Sequence, residues 1–311
     1  MSEQNVPTWK NDTNRSSGTW AAAVAVMAVI GFGFAGAVSI GAAVASSVSS
    51  HGASPTIPAS LESQLHSKGF VTKTTSDNWG GYALTAKTNG TITEAFGEWF
   101  VPTIQCARNA PSLEDAWVGI DGYSDGTVEQ AGTYAYCPSN GVGPYYWDWF
   151  EFFPYETIVT MNAVNAGDLI NAYVLYNPDA GIDGNFGIYT LVVNDLDNIN
   201  ASFAVVGNPS TCNSSGCEGG VDNSAECISE SLANQGYNLP NYKTLEFYSC
   251  DATVNGHWAG IGGIPTSDGV AHVYAITTYG YTSDKEQQTV SILKTYDYKD
   301  DNFIITWKRL N

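Results

Sequence analysis

The sequence predicts an all-β protein, an antiparallel β-sandwich of two large sheets with a jelly-roll or concanavalin-like architecture. Short segments of alternating or continuous apolar residues follow one another, and clusters of Gly, Asn, Asp and Pro separate them. Many short strands with such turns are typical of a sandwich. Only residues 224–234 have a pattern that hints at a helix.

The predicted strands occupy the C-terminal three quarters of the chain. Residues 91–101 alternate between apolar and polar, which is typical of a half-buried strand, and residues 145–153 (YYWDWFEFF) predict an aromatic one. Further strands are predicted at 157–164, 169–176, 186–193, 202–206, 244–248, 272–278, 289–296 and 303–308.

The N-terminal region predicts export. In residues 1–45, a polar start precedes the apolar run 20–45, which is long enough to span a bilayer and ends in an A-x-A pattern. A cleaved signal peptide and an N-terminal membrane anchor both fit, and either places the remainder outside the cytoplasm. Residues 46–76, rich in Ser, Thr, Gly and Pro, predict a linker or short pro-segment, which leaves residues 77–311 as the folded domain.

The charge balance is strongly acidic. The chain has 12 Lys and Arg against 31 Asp and Glu, a net charge of −19, and no basic footprint for nucleic acid. In acid the carboxylates protonate and few cations remain to repel one another, so composition favours tolerance of acid. We therefore expect an extracytoplasmic protein, secreted or membrane-anchored, in an acidic environment, and no nucleic-acid partner.

The six cysteines all follow the export segment. No two have the tight C-x-x-C spacing of a metal site, so in an exported chain they predict disulfides. The predicted pairs are Cys212–Cys217, Cys106–Cys137 and Cys227–Cys250.

Two familiar catalytic chemistries fit poorly. Residues 122–126 (GYSDG) match the G-x-S-x-G pattern of a serine nucleophile, but the residues that follow are β-branched and aromatic rather than helical. Ser124 is better interpreted as a turn residue. The four histidines are scattered and no H-E-x-x-H occurs, so neither a catalytic metal nor another cofactor is expected.

Carboxylates among aromatic residues remain as candidates, notably Asp121, Asp148, Glu151 and Glu230. Strand alternation places Glu151 on the same face as Trp147 and Trp149. Such a face suits a core, or a groove for sugars or extended peptides. Three functions stay open on this evidence: a peptidase, a non-catalytic carbohydrate- or peptide-binding sandwich of lectin type, and a glycosidase using Glu151 and Glu230.

A set of motifs spread through residues 76–310 bears on this choice. They are NWGG at 78–81, VP at 101–102, WVGIDG at 117–122, VEQAG at 128–132, WFEFFP at 149–154, GD at 167–168 and AECISE at 225–230. In this order and spacing the chain resembles the glutamic peptidase (eqolisin) family. The resemblance implies a two-sheet sandwich with a substrate groove, a catalytic pair at Gln130 and Glu230, and a site lined by Trp79, Trp117, Asp121 and Glu151. Trp149, on the same strand face as Glu151, is expected to join them.

The implied chemistry suits acid. A histidine base would be protonated at low pH, whereas a Glu with a pKa near ~4.3 stays partly ionised. Glu230 would activate a water and return the proton to the leaving amine, with no covalent intermediate, while Gln130 would stabilise the oxyanion. We expect an acid-active endopeptidase, a monomer, that binds protein or peptide substrates in extended form. Contact with a membrane would come only through residues 20–45.

Overall fold

The computed structural model describes residues 71–106, 111–154, 158–180, 187–207, 211–213, 216–232, 235–264, 266–279, 286–290, 294–295 and 301–309. The predicted export segment and residues 46–70 of the predicted linker lie outside these ranges. Within them, no helix is both long enough and apolar enough to cross a bilayer.

The described residues are almost entirely strands, joined by turns and three short 3-10 segments. The first strands are β1 (Val71–Ser76), β2 (Trp79–Ala86), β3 (Ile92–Phe100), β4 (Ser112–Ile120), β5 (Val128–Cys137), β6 (Tyr145–Phe153), β7 (Val159–Ala163), β8 (Leu169–Asn177), β9 (Ile188–Asp195) and β10 (Phe203–Gly207). The others are β11 (Thr211–Asn213), β12 (Gly216–Glu218), β13 (Ser224–Ser231), β14 (Thr244–Val254), β15 (His257–Gly260), β16 (Val270–Tyr279), β17 (Glu286–Val290), β18 (Lys294–Thr295) and β19 (Asp301–Arg309).

These strands form two large sheets. The first sheet has the order β1-β16-β2-β13-β4-β5-β6-β7, and the second has the order β19-β14-β3-β8-β9-β10. β17 pairs with both β16 and β19 and so joins the sheets at one edge. Apart from the parallel pair β1–β16, the strand pairings in the described part are antiparallel. The predicted all-β sandwich is confirmed.

The core lies between the inner faces of the two sheets. Tyr82 of the first sheet packs edge-on against Phe303 of the second, with ring centroids 4.9 Å apart. The indole of Trp99 donates a 3.1 Å hydrogen bond across the core to the hydroxyl of Thr133. Because successive strand residues point to opposite faces, each strand of the first sheet that fills this core also presents a second set of side chains on the outer face.

The structure differs from two sequence-based expectations. Residues 224–234 hinted at a helix, but Ser224–Ser231 form β13, which is hydrogen-bonded to β2 on one side and β4 on the other. Those long-range bonds outweigh the weak local helical preference. The predicted linker ended at residue 76, but Val71–Ser76 form β1, so the folded part begins at least 6 residues earlier.

The disulfide pairs Cys106–Cys137 and Cys227–Cys250 are confirmed. The second joins β13 of the first sheet to β14 of the second, so it links the sheets directly. Cys212 and Cys217 face each other in the β11–β12 hairpin, but their side chains lie outside the described part.

Removing the inter-sheet disulfide should destabilise the protein. Cys227→Ala with Cys250→Ala reopens a span of 23 residues, which in the chain-entropy account costs about 3 kcal/mol. Urea unfolding at acidic pH measures this loss. Cys106→Ala with Cys137→Ala is the matched control. It should lose comparable stability, but only the Cys227 pair should also change the activity of the folded protein, because Cys227 lies three residues before Glu230. An unchanged unfolding free energy in the Cys227 pair would contradict the assignment.

Candidate active site

The outer face of the first sheet is aromatic and acidic. Alternation sends Ala116, Val118 and Ile120 of β4 into the core and the residues between them outward. We call this surface the aromatic face. Its members include Trp79, Leu113, Asp115, Trp117, Gln130, Tyr134, Trp147, Trp149, Glu151, Ile228 and Glu230.

Glu230 lies near the C-terminal end of β13, and donors hold both of its carboxyl oxygens. The Asn78 side-chain amide donates to Oε1 at 2.8 Å, and the Trp117 indole N–H donates to Oε2 at 3.0 Å. Burial raises the pKa of Glu230 above its ordinary value, and the hydrogen bonds from Asn78, Trp117 and Trp79 oppose that rise. The carboxyl is therefore fixed in position by groups that favour its ionised form.

Gln130 lies on β5 and is nearly fully buried, with 6% of its surface exposed. Its Nε2 donates a 2.7 Å hydrogen bond to Oε2 of Glu151, its cross-strand partner on β6. Its Oε1 receives no hydrogen bond within the described part. Burial raises the pKa of Glu151 to about 8, the bond from Gln130 lowers it, and the charge of Glu230 raises it. Glu151 thus accepts a hydrogen bond from Gln130, and the charge of Glu230 raises its pKa.

Gln130 and Glu230 lie diagonally across β4. Gln130 is paired with Gly119, and Glu230 with Asp115, on the opposite edge of the same strand. The ring of Trp117 lies between them: its Cζ3 would be 2.9 Å from a side chain at Gly119, and its Nε1 reaches Glu230. Trp117 therefore lies between the two candidate residues on the aromatic face.

Asp115 is a site residue that the sequence reasoning missed. It lies opposite Glu230 in register and is 2% exposed. Burial raises its pKa well above the ordinary value, the charges of Glu230, Glu114 and Glu151 add to the rise, and Trp149 offsets part of it. The available signal was alternation, since Asp115 lies two residues before Trp117 and so shares its face. Asn78, whose side-chain amide donates a hydrogen bond to Glu230, belongs to the NWGG motif but was not predicted as a site residue.

The three tryptophans that were expected to line the site lie on the aromatic face. Trp79 packs edge-on against Trp117 with centroids 5.0 Å apart, and its ring lies against Gly122. Trp149 is buried, pairs with Gly132 on β5 and lies close to Asp115. The structure therefore brings Trp79, Trp117 and Trp149 to one surface together with the candidate pair.

Asp121 is placed elsewhere. It follows β4 with φ of 70°, and its carboxyl accepts hydrogen bonds from the backbone N–H groups of Asp222 (2.8 Å) and Asn223 (2.9 Å). Burial and the charge of Asp125 raise its pKa to about 6, against these hydrogen bonds. Asp121 thus holds the loop that leads into β13. Its contacts position that strand rather than touch Gln130 or Glu230.

Two other candidates also lie away from the aromatic face. Ser124 is exposed in a turn and donates to Oδ1 of Asn223, and the strand β5 follows it rather than a helix. The turn interpretation is therefore confirmed. Asp148 points into the sandwich, where its carboxyl accepts from the backbone and side chain of Asn162.

A cavity of about 570 Å³ adjoins the aromatic face on the side of Glu230. Its lining includes Thr74, Ser76, Asn78, Trp79, Tyr123 and Ile276. Two of these residues, Asn78 and Trp79, also contact Glu230. A molecule lying across the aromatic face would therefore meet a hydroxyl-rich recess directly beside the carboxyl.

The family model that matches this chain defines its class as a peptidase of the glutamic type, a hydrolase of peptide bonds. The chain belongs to the Peptidase A4 family, the eqolisin family, whose model matches residues 77–292. No curated protein sequence is significantly similar to it.

Solved structures agree on the fold. Scytalido-glutamic peptidase with a peptide-based transition-state analogue superposes with a TM-score of 0.53 at 19% identity, covering 76% of this chain and 100% of that one. The same peptidase with a transition-state analogue inhibitor gives a TM-score of 0.50 at 20% identity, with the same coverage. Family membership favours the peptidase over the lectin-like and glycosidase alternatives.

Proposed function

We propose that this protein is an acid-active endopeptidase in which Glu230 is the general base and Gln130 the oxyanion donor. The observation that carries the proposal is the fixed carboxyl of Glu230, held by Asn78 and Trp117 on the sheet face where Gln130 also lies. No other carboxyl of this face receives donors on both oxygens among the contacts of the described residues.

The reaction would run through a water molecule. Glu230 removes a proton from the water, whose oxygen attacks the carbonyl carbon of the scissile peptide. Gln130 donates its N–H to the oxygen that becomes negative. Glu230 then gives the proton to the amide nitrogen as the C–N bond breaks, which yields a carboxylic acid and an amine. The scissile bond would lie over Trp117, between Gln130 and Glu230.

Acid activity follows from the neighbours of Glu230. Burial raises the pKa of both Asp115 and Glu151, so each is a neutral acid in acidic solution. Burial also raises the pKa of Glu230, and the hydrogen bonds from Asn78, Trp117 and Trp79 oppose that rise. Gln130 keeps its donor in acid because an amide does not titrate.

The proposed substrates are proteins or peptides in extended form. An extended chain across the aromatic face would place side chains on the tryptophans and, on the Glu230 side, in the hydroxyl-rich cavity. We also infer an extracytoplasmic location, secreted or membrane-anchored, because the disulfides Cys106–Cys137 and Cys227–Cys250 belong to an oxidising compartment. A monomer that needs no cofactor remains our expectation.

The test is proteolysis by the purified protein across acidic pH, with denatured protein and polysaccharide as parallel substrates. Gln130→Ala should lower kcat by about 10²–10³-fold, because one oxyanion donor is lost. Gln105→Ala is the control, since Gln105 is exposed outside the aromatic face. Circular dichroism should show both variants folded.

Three outcomes would overturn the proposal. They are cleavage of polysaccharide rather than protein by the wild type, no proteolysis at any acidic pH, and full activity of Gln130→Ala. The last would leave the peptidase class intact but remove Gln130 from the chemistry.

A further inference from the structure

Three aspartates meet at one end of the second sheet, away from the aromatic face. Asp168 immediately precedes β8, Asp195 is the last residue of β9, and Asp197 follows two residues later. One carboxyl oxygen from each lies within 4.8 Å of the others. The antiparallel pairing of β8 with β9, which sets Ile170 opposite Asp195, brings these positions together.

Each of these carboxyls is fixed through one oxygen. Oδ2 of Asp168 accepts from the backbone and side chain of Asn165, at 2.7 and 3.0 Å. Oδ1 of Asp195 accepts from the backbone N–H groups of Asp197 and Asn198, and Oδ2 of Asp197 accepts from that of Leu169 at 2.7 Å. Each carboxyl therefore keeps a second oxygen that these bonds do not use.

The second oxygen of Asp195 points to a ligand. The Asp195 side chain is fully buried, and its Oδ2 has no hydrogen-bond partner in the described part of the chain. A buried carboxyl oxygen without a partner is costly, and a proton or a cation would satisfy it. None of the three aspartates has an ion pair within the described ranges, where His257–Asp268 is the pair observed.

We propose that Asp168, Asp195 and Asp197 hold a calcium ion. Ca²⁺ prefers carboxylate and carbonyl oxygens at about 2.3–2.6 Å, so oxygens on opposite sides of the ion are up to about 5 Å apart. The three oxygens lie within 4.8 Å of one another, which is close enough for all of them to contact one such ion. Mg²⁺ requires a tighter octahedron, and the softer metals prefer imidazole or thiolate ligands, which this cluster lacks.

A bound ion would join the start of β8 to the end of β9. Three negative charges that otherwise repel one another would share one divalent cation, so binding would stabilise the folded state. Protons compete for the same oxygens, so the effect should be weak in strong acid and grow as the aspartates ionise. With three carboxylates, the dissociation constant should be about 10⁻⁴–10⁻³ M, as in extracellular calcium modules.

The experiment measures the Tm of the purified full chain with calcium chloride, magnesium chloride or EDTA. At pH about 5.5, calcium at a few millimolar should raise Tm by about 2–6 °C. Magnesium should raise it much less. At pH about 3 the calcium effect should be weaker, because protons compete with the metal for the ligand oxygens.

Asp197→Asn is the informative variant. Asn keeps an oxygen for the N–H of Leu169 but removes one charge, so the calcium shift should be lost. Asp179→Asn is the matched control, an exposed aspartate beyond the other end of β8, and should keep the full shift. Should Asp197→Asn fail to fold, equilibrium dialysis of the wild type with calcium decides, with one bound ion expected. No calcium shift in the wild type, an equal shift in Asp197→Asn, or no bound ion would each overturn the proposal.

Discussion

Glu230→Gln is expected to lower kcat/KM for peptide hydrolysis by about 10²–10⁴-fold, the range that a general base contributes. The substitution preserves the size of the side chain but removes its ability to take a proton from water. It acts at the one carboxyl of the aromatic face that Asn78 and Trp117 hold from both sides. The pH profile supplies a second readout, because residual activity should no longer follow the titration of a base.

The same variant should remain folded. A glutamine presents one oxygen and one amide nitrogen, so one of the two donors, Asn78 or Trp117, would face another donor and lose its partner. A lost hydrogen bond of this kind costs about 1–3 kcal/mol. The loss of activity must therefore be measured where circular dichroism shows a native protein, well below the Tm of the variant.

Glu246→Gln provides the matched control. Glu246 is a half-buried glutamate on β14 of the second sheet, away from the aromatic face, and its substitution should leave kcat and KM unchanged. Wild-type activity in folded Glu230→Gln would remove Glu230 from the catalytic pair. Equal losses in both glutamine variants would point to a general effect of charge.

The second large effect is on stability. The free energy of unfolding should be greatest in acid and should fall as the pH rises from about 4 to about 8. Buried carboxyls cause this trend because burial raises their pKa in the folded protein: Glu114 and Glu151 to about 8, Asp148 to about 7 and Asp121 to about 6. In the unfolded chain the same groups would titrate near pH 4.

The sign follows from proton linkage. Between the unfolded and the folded pKa, the folded state holds the proton and the unfolded state has released it. Raising the pH then favours the unfolded state, so the stabilisation present below about pH 4 is lost by about pH 8. One pKa unit corresponds to about 1.4 kcal/mol. Fully buried Glu114 alone would contribute on the order of several kcal/mol, a large part of an ordinary stability of about 5–15 kcal/mol.

Urea unfolding from pH 3 to pH 8 measures this slope. The variant Glu129→Gln tests whether buried carboxyls cause the slope. Glu129 is fully buried on β5, and its carboxyl receives no hydrogen bond from another residue in the described part. Burial raises its pKa, and the charges of Asp121 and Asp222 add to the rise. A neutral amide there should flatten the slope and stabilise the protein near neutral pH, whereas Glu246→Gln should not. A stability that rises between pH 4 and pH 7 would contradict the account.

Local patterns in the sequence predicted several strands, but β1, β2, β4, β5 and β13 were not among the predicted ranges. The aromatic strand at 145–153 coincides with β6, because alternating aromatic residues satisfy both faces of a sheet at once. β13 was missed because Glu226, Ser229 and Glu230 look like surface residues when only their neighbours in sequence are considered. They are partnered by residues of β2 and β4 more than a hundred positions away.

The sequence by itself determined the all-β class, the acidic character and the motifs that carry Gln130 and Glu230, since each depends on composition or local spacing. Only the tertiary structure decided the surroundings of those residues. It buried Glu230 between Asn78 and Trp117, set Asp115 opposite it, and turned Asp121 away to hold the loop before β13. The physical reason is that burial and charge coupling, which set the pKa of a carboxyl, depend on which strands pair, and pairing across a hundred residues leaves no mark in local sequence.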